Sequence, residues 1–164
     1  MKKLPVVSFV GKSGSGKTTL MEKVISILKE SGYRVGTVKH THHDAILDVP
    51  GKDSFRHRAS GAELSILVAA KTVSFVRSVE RPPDLFEILE RYADGLDIAL
   101  VEGFSADSPS QIVVSREAIS SDQTEPYKNM VAAASGEKSN LDVPCFSRDD
   151  ARGVADFIRD LTGL

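Results

Sequence analysis

Cysteine is almost absent: the chain has one, Cys145 in "VPCF", so no internal disulfide is possible. Free cysteine is more often packed than reactive, and Cys145 is read as a buried structural thiol. No apolar stretch approaches the ~20 residues of a membrane-spanning helix, so no membrane partner is expected. A surplus of positive charge is also missing. Lys and Arg number 21 against 23 for Asp and Glu, a formal net charge of −2, which excludes a broadly basic nucleic-acid binder. There is no internal repeat and no low-complexity segment. The opening "MKKLPVVSFVGKSG" starts positively, but its apolar run of about seven residues ends in a glycine loop and not in a small-residue cleavage site. It is read as a strand of a cytoplasmic protein.

What is present suits one soluble domain over residues 1–164, with 41% apolar residues for a core and 27% charged residues for a surface. Apolar runs alternate with helical patterns, which predicts an α/β fold with a mostly parallel central sheet flanked by helices. Val6, Val7, Phe9 and Val10 read as a buried strand. Leu20, Met21, Val24, Ile25 and Leu28 recur at helical spacing and stop at Ser31-Gly32. "YRVGTVKH" resumes as a strand, and residues 40–52 show no clean period. "KDSFRHRASG" predicts a short helix. "ELSILVAA" and "TVSFVRSV" predict neighbouring strands. Leu85, Ile88, Leu89 and Tyr92 share a helical face after a Pro-Pro-Asp start. "LDIALVEG" and "NMVAAAS" are further strands, and "QIVVS" stands out of a polar 104–128 segment as a candidate for pairing between two copies. Ser147 and Asp150 have capping-box spacing before a last helix carrying Val154, Phe157, Ile158 and Leu161.

The stretch with the most chemistry is "GKSGSGKTTL". Gly11-Lys12-Ser13-Gly14-Ser15-Gly16-Lys17-Thr18 satisfies G-x-x-x-x-G-K-[ST], with the strand before and the amphipathic helix after that the motif requires. Glycines let successive backbone N–H groups point inward, and the first helical turn adds unpaired donors and a positive dipole end. The matching ligand is a nucleotide's polyphosphate, with Lys17 on the β- and γ-oxygens and the Thr18 hydroxyl on Mg²⁺. Thr19 either faces an α-phosphate oxygen or starts the helix. Lys12 is either a solvated loop lysine or reaches a partner subunit's nucleotide, as in some dimeric NTPases.

Glu102 ends an apolar strand in "LVEGF". Ligands of open parallel sheets sit at the carboxyl ends of strands, so this acid is placed to hold Mg²⁺ or orient a water, and Gly103 lets the backbone approach. Asp97 begins the same strand at its far end and is not assigned a catalytic role. His40, His42 and His43, with Asp44, form "KHTHHD", which reads either as polar residues near an anion or as a transition-metal site. Asp48, in "DVPGKDS", lies where NTPases keep a switch segment and is the candidate for an outer contact to Mg²⁺. Asp53 or Ser54 is expected to cap the next helix. Arg56, His57 and Arg58 are a solvated face or bind an anion. The catalytic set is therefore Lys17, Glu102 and Asp48. The nucleotide set is Gly11 through Thr19, and the metal set is Thr18, Glu102 and Asp48.

Four stretches in this order, "GKSGSGKTTL", "VGTVKHTHHD", "DVPGKDSFRHRASGA" and "LVEGF", resemble the molybdopterin-guanine dinucleotide biosynthesis adaptor family, MobB. The resemblance covers about residues 4–105, and "KHTHHD" with "PGKDS-x-R-x-R-x-x-GA" is its specific part. It implies a GTP-binding homodimer with slow GTPase activity. It also implies a molybdenum-cofactor guanylyltransferase as partner, with molybdopterin as a candidate further ligand. Members often carry an Asp in an "A-[ST]-D" slot that could accept the guanine donors. Here Ala134-Ser135-Gly136-Glu137 makes Glu137 the acid nearest that slot. No glutamine for positioning water and no arginine finger is identified, so slow hydrolysis is expected. Two other classes fit the loop: a small-molecule kinase steadied by Arg56, Arg58, Arg77 or Arg81, and a metal-delivery GTPase built on the histidines. A binding module without hydrolysis fits as well.

Overall fold

The computed structural model describes residues 4–41, 45, 48–104, 108–124 and 126–164. His42, His43 and Asp44 lie outside the described residues, so of the histidine cluster only His40 has a described environment. The chain packs as two units, Met1–His40 with Asp84–Leu164, and Thr41–Pro83.

The larger unit holds strands β1 (Val6–Val10) and β2 (Val35–Lys39), with helix α1 (Lys17–Glu30) between them. The smaller unit supplies helix α2 (Asp53–Ala59) and strands β3 (Leu64–Val68) and β4 (Val73–Arg77). The larger unit resumes with α3 (Leu85–Tyr92), β5 (Ile98–Glu102), β6 (Gln111–Ser115), β7 (Met130–Ser135), β8 (Cys145–Ser147) and α4 (Ala151–Thr162). Its six strands form one sheet in the order β2-β5-β1-β6-β7-β8, and every neighbouring pair is parallel. This is the α/β architecture that the alternating pattern predicts.

The four interior strands β1, β5, β6 and β7 are buried along most of their length because both faces are covered. The period of two divides them. Val7, Phe9, Ile98, Leu100, Ile112, Val114, Ala132 and Ala134 face Leu20, Val24 and Leu28 of α1 and Val154, Ala155 and Ile158 of α4. Ala99 and Val101 pack with Leu85 of α3 on the other face, while Val10, Val113 and Ala133 gather Ile119 and Tyr127. Helix α3 begins at the expected Asp84, whose carboxylate accepts the Glu87 N–H at 2.9 Å while the Glu87 carboxylate accepts the Asp84 N–H at 3.0 Å. The pair satisfies two end-of-helix donors reciprocally.

Four local expectations are corrected. "QIVVS" is β6, an interior strand paired with β1 and β7, so it has no free edge to offer a second copy. Cys145 is exposed, because β8 is a three-residue edge strand, and its thiol donates to the Val143 carbonyl at 3.3 Å. Asp150, not Ser147, caps α4, accepting the Gly153 N–H at 2.9 Å. The N-cap of α2 is Lys52, with no side-chain cap, so neither Asp53 nor Ser54 fills that role.

The smaller unit is built on a hairpin. Strands β3 and β4 pair antiparallel with Leu64 opposite Arg77, Ile66 opposite Phe75 and Val68 opposite Val73. Opposed residues share a face, so this face of the ribbon is apolar and open, with Ile66 at 56% and Val68 at 72% exposure.

Candidate functional site

The parallel sheet brings the carboxyl ends of β2, β5, β1 and β6 side by side, and the glycine loop leaves β1 at the middle of that row. The loop's glycines are there for backbone reasons. Gly11, Gly14 and Gly16 all have φ in the left-handed region, at 138°, 73° and 99°. A Cβ on Gly11 would overlap the Val114 carbonyl oxygen of the neighbouring strand. The loop turns on itself through the Ser15 N–H to the Lys12 carbonyl at 3.2 Å. Gly16 caps α1 without a side chain, and the first turn of the helix holds no acid, so its donors and dipole are left for an anion.

Lys17 folds back over the loop. Its ammonium donates to the Gly11 carbonyl at 3.0 Å and the Lys12 carbonyl at 2.8 Å. Burial holds this ammonium below its ordinary pKa, Glu102 pulls it back up, and Lys39 adds to the lowering. Thr18, the next residue, donates its hydroxyl to Glu102 at 3.1 Å to one carboxylate oxygen and 3.3 Å to the other. Glu102 is the last residue of β5, with a side chain 14% exposed, and its carboxylate lies 3.4 Å from the Lys39 ammonium. Behind it, Gly103 turns at φ 104°, and a Cβ there would come within 2.6 Å of the His40 carbonyl oxygen. The His40 ring rests on Phe104, with centroids 4.5 Å apart.

The structure therefore joins Lys17, Thr18 and Glu102, with Gly11 to Gly16 curled beside them. Thr19 is exposed on the first turn of α1. Asp48 belongs to the smaller unit. There one carboxylate oxygen accepts the Val49 N–H at 3.0 Å and the Ser54 hydroxyl at 2.9 Å, and the other is buried without a partner. A hydroxyl and a carboxylate in contact, Thr18 and Glu102, are hard oxygen donors that fit Mg²⁺. Among the described residues no group of three His, Cys, Asp or Glu side chains could hold a metal ion. No helix among them is long and apolar enough to cross a membrane.

Three basic residues near the loop lie outside its motif. Lys39 ends β2 and faces Glu102. Arg116, just after β6, donates from Nε to the Gly14 carbonyl at 2.6 Å. Arg148, just after β8, lies with its Cδ 3.0 Å from where a Gly16 Cβ would stand. The signal available in the sequence is that each sits at or just past a strand end. A cavity of about 670 Å³ runs from Gly11–Ser15 along Ser115, Arg116 and Glu117 to Gln123 and Tyr127.

A six-stranded parallel sheet whose central strand runs through this glycine loop into a helix defines a P-loop NTPase-like α/β protein. The chain belongs to the MobB family, the adapter proteins of molybdopterin guanine dinucleotide biosynthesis: the family model "Molybdopterin guanine dinucleotide synthesis protein B" matches residues 6–136. The molybdopterin-guanine dinucleotide biosynthesis adapter protein of Escherichia coli K12 is 36% identical over 160 residues, 94% of this chain and 91% of that one. Its counterpart from Haemophilus influenzae is 30% identical over 158 residues, 96% of this chain and 89% of that one. A crystal structure of molybdopterin-guanine biosynthesis protein B superposes with a TM-score of 0.79 at 32% identity, covering 97% of this chain and 99% of that one. The crystal structure of Bacillus subtilis MobB gives 0.79 at 28% identity, covering 96% and 97%.

Proposed function

We propose that this chain is a cytoplasmic GTP-binding adaptor that works as a homodimer with a molybdenum-cofactor guanylyltransferase and hydrolyses GTP slowly. The observation that carries the nucleotide reading is the contact of Thr18 with Glu102 beside a loop whose lysine is folded over its own carbonyls. In this reading the amides of Gly11 to Thr19 surround the phosphates, and Lys17 leaves the Gly11 and Lys12 carbonyls for the β- and γ-oxygens. Thr18 and Glu102 would hold Mg²⁺. When bound, Mg²⁺ supplies charge neutralisation between the phosphate groups. Glu102 orients the attacking water. No side chain is assigned as an arginine finger, a group worth roughly 10³–10⁵ in rate, so unaided turnover is slow.

Equilibrium titration of the purified protein with a fluorescent GTP analogue and Mg²⁺ tests this. Saturable binding lost in Lys17→Ala supports it, and no binding overturns it. Equal displacement by ATP would remove the guanine preference, for which Glu137 is the candidate acceptor. Turnover at tens per second without a partner would contradict the adaptor reading. Retention of a guanylyltransferase in a pull-down that depends on a non-hydrolysable GTP analogue would support it.

The hairpin supports the dimer. A two-stranded ribbon is at best marginally stable alone, and one with an apolar open face needs a cover. A second copy supplies the same apolar face, so two hairpins complete each other about a two-fold axis.

A further inference from the structure

Lys39 closes β2, and the strand register sets it opposite Glu102. Its ammonium lies 3.4 Å from a carboxylate oxygen of Glu102, which also accepts the Thr18 hydroxyl. A line of polar groups thus runs along the strand ends from Lys39 through Glu102 to the first turn of α1. The Lys39 side chain is 65% exposed, so its ion pair contributes little to stability. An edge strand needs no cation at this point. The position is better explained by what happens when the loop fills.

Glu102 carries one negative charge and serves two donors here. On the nucleotide reading above, a divalent cation takes Thr18 and Glu102. With Glu102 so engaged, the Lys39 ammonium would lose its acceptor and have to find another. Its four-carbon stem is long and largely unpacked, and Lys17 already serves the inner phosphates. The remaining anion within its sweep is the outermost phosphate of a chain seated on the loop.

We propose that Lys39 is the residue by which this site distinguishes a nucleoside triphosphate from a diphosphate: its ammonium leaves Glu102 on loading and binds the terminal phosphate. The inference rests on the polyphosphate reading of the loop and adds a residue that the loop motif does not contain. It also gives the site a means of registering hydrolysis, because loss of the terminal phosphate removes the acceptor that Lys39 binds in the loaded site.

The test compares wild type, Lys39→Ala, Lys39→Arg and Lys17→Ala, each as the full chain, by calorimetric titration with a non-hydrolysable GTP analogue and with GDP, both with Mg²⁺. Wild type should prefer the triphosphate analogue. Lys39→Ala should lower that preference roughly tenfold or more, the usual worth of a charged hydrogen bond, by weakening the analogue while leaving GDP within about twofold. Lys39→Arg should restore most of it. An unchanged preference in Lys39→Ala, or an equal loss for both nucleotides, overturns the inference while the polyphosphate reading stands. If wild type binds neither nucleotide, that reading fails and takes this one with it.

Discussion

Thr18 and Glu102 stand 84 residues apart in the chain, and the Thr18 hydroxyl donates to both oxygens of the Glu102 carboxylate. One belongs to the first turn of α1 and the other to the end of β5. They meet because β5 is the parallel neighbour of β1, with Phe9 opposite Glu102. Glu102→Gln keeps the size and the Thr18 hydrogen bond but removes the charge. The expected result is an unchanged fold and a loss of the Mg²⁺-dependent part of nucleotide affinity. Titrations with Mg²⁺ and with excess chelator read it, and equal affinities in the variant are the expected outcome.

Lys17→Met should abolish nucleotide binding, by about 100-fold or more if the two charge-assisted contacts to phosphate are both lost. It should not lower the stability of the ligand-free protein. Burial places the Lys17 pKa below its ordinary value of 10.5, so the charged form is disfavoured in the folded state. That unfavourable contribution is complete below the folded pKa, fades as pH rises from there towards 10.5, and is gone above 10.5. Thermal melts of wild type and variant should therefore converge on the alkaline side.

Gly103→Ala tests the closeness of two strand ends. The new Cβ would stand 2.6 Å from the His40 carbonyl, on a backbone at φ 104°. A loss of roughly 1–3 kcal/mol is expected from strain at such a position, read by urea denaturation. Gly51→Ala, which meets nothing within 4 Å but has φ 84°, is the control for backbone strain without contact.

Arg34 grips Asp97 through its backbone N–H at 2.7 Å and its guanidinium at 2.9 Å. The guanidinium, then the backbone N–H, lowers the Asp97 pKa from 3.8 to about 2. The stabilisation is present above pH 3.8 and disappears as pH falls through about 2. Asp97→Asn should remove this part of the acid dependence, so the melting temperatures of wild type and variant should approach each other between those values. The sequence already argued against a catalytic Asp97, and its role in the structure is to clasp the start of β5 to the approach to β2.

Val68→Glu places a charge on the open hairpin face. If the proposed hairpin dimer forms, light scattering on a sizing column should show it shift to monomer, since a desolvated unpaired carboxylate is strongly disfavoured in an apolar interface. Ile66→Lys should do the same, and Glu63→Gln, just outside the strand, should not.

Much of this arrangement is legible in the residues. β1 and β5 are apolar runs, α1 is periodic, the loop between β1 and α1 carries its own motif, and the Pro-Pro-Asp start announces α3. What the chain hides is set by the order of strands. Lys39 and Glu102 become neighbours only because β2 pairs with β5, and Arg116 and Arg148 reach the loop from strands that follow it by most of the chain. "QIVVS" looks like an edge because its flanks are polar, yet it pairs with a strand on either side. β8 is too short to show a period, which is also why Cys145 reads as core when it lies on an edge.

The Lys17 ammonium latched onto two carbonyls of its own loop has a kinetic meaning. A glycine-rich segment left to itself would sample many shapes, and each arriving anion would have to wait for the right one. On the polyphosphate reading the ring is already drawn, so capture would proceed without a folding step and little entropy would be spent on ordering. What the incoming charge must do is exchange one set of oxygens for another at a single ammonium group, a side-chain rearrangement on the nanosecond scale.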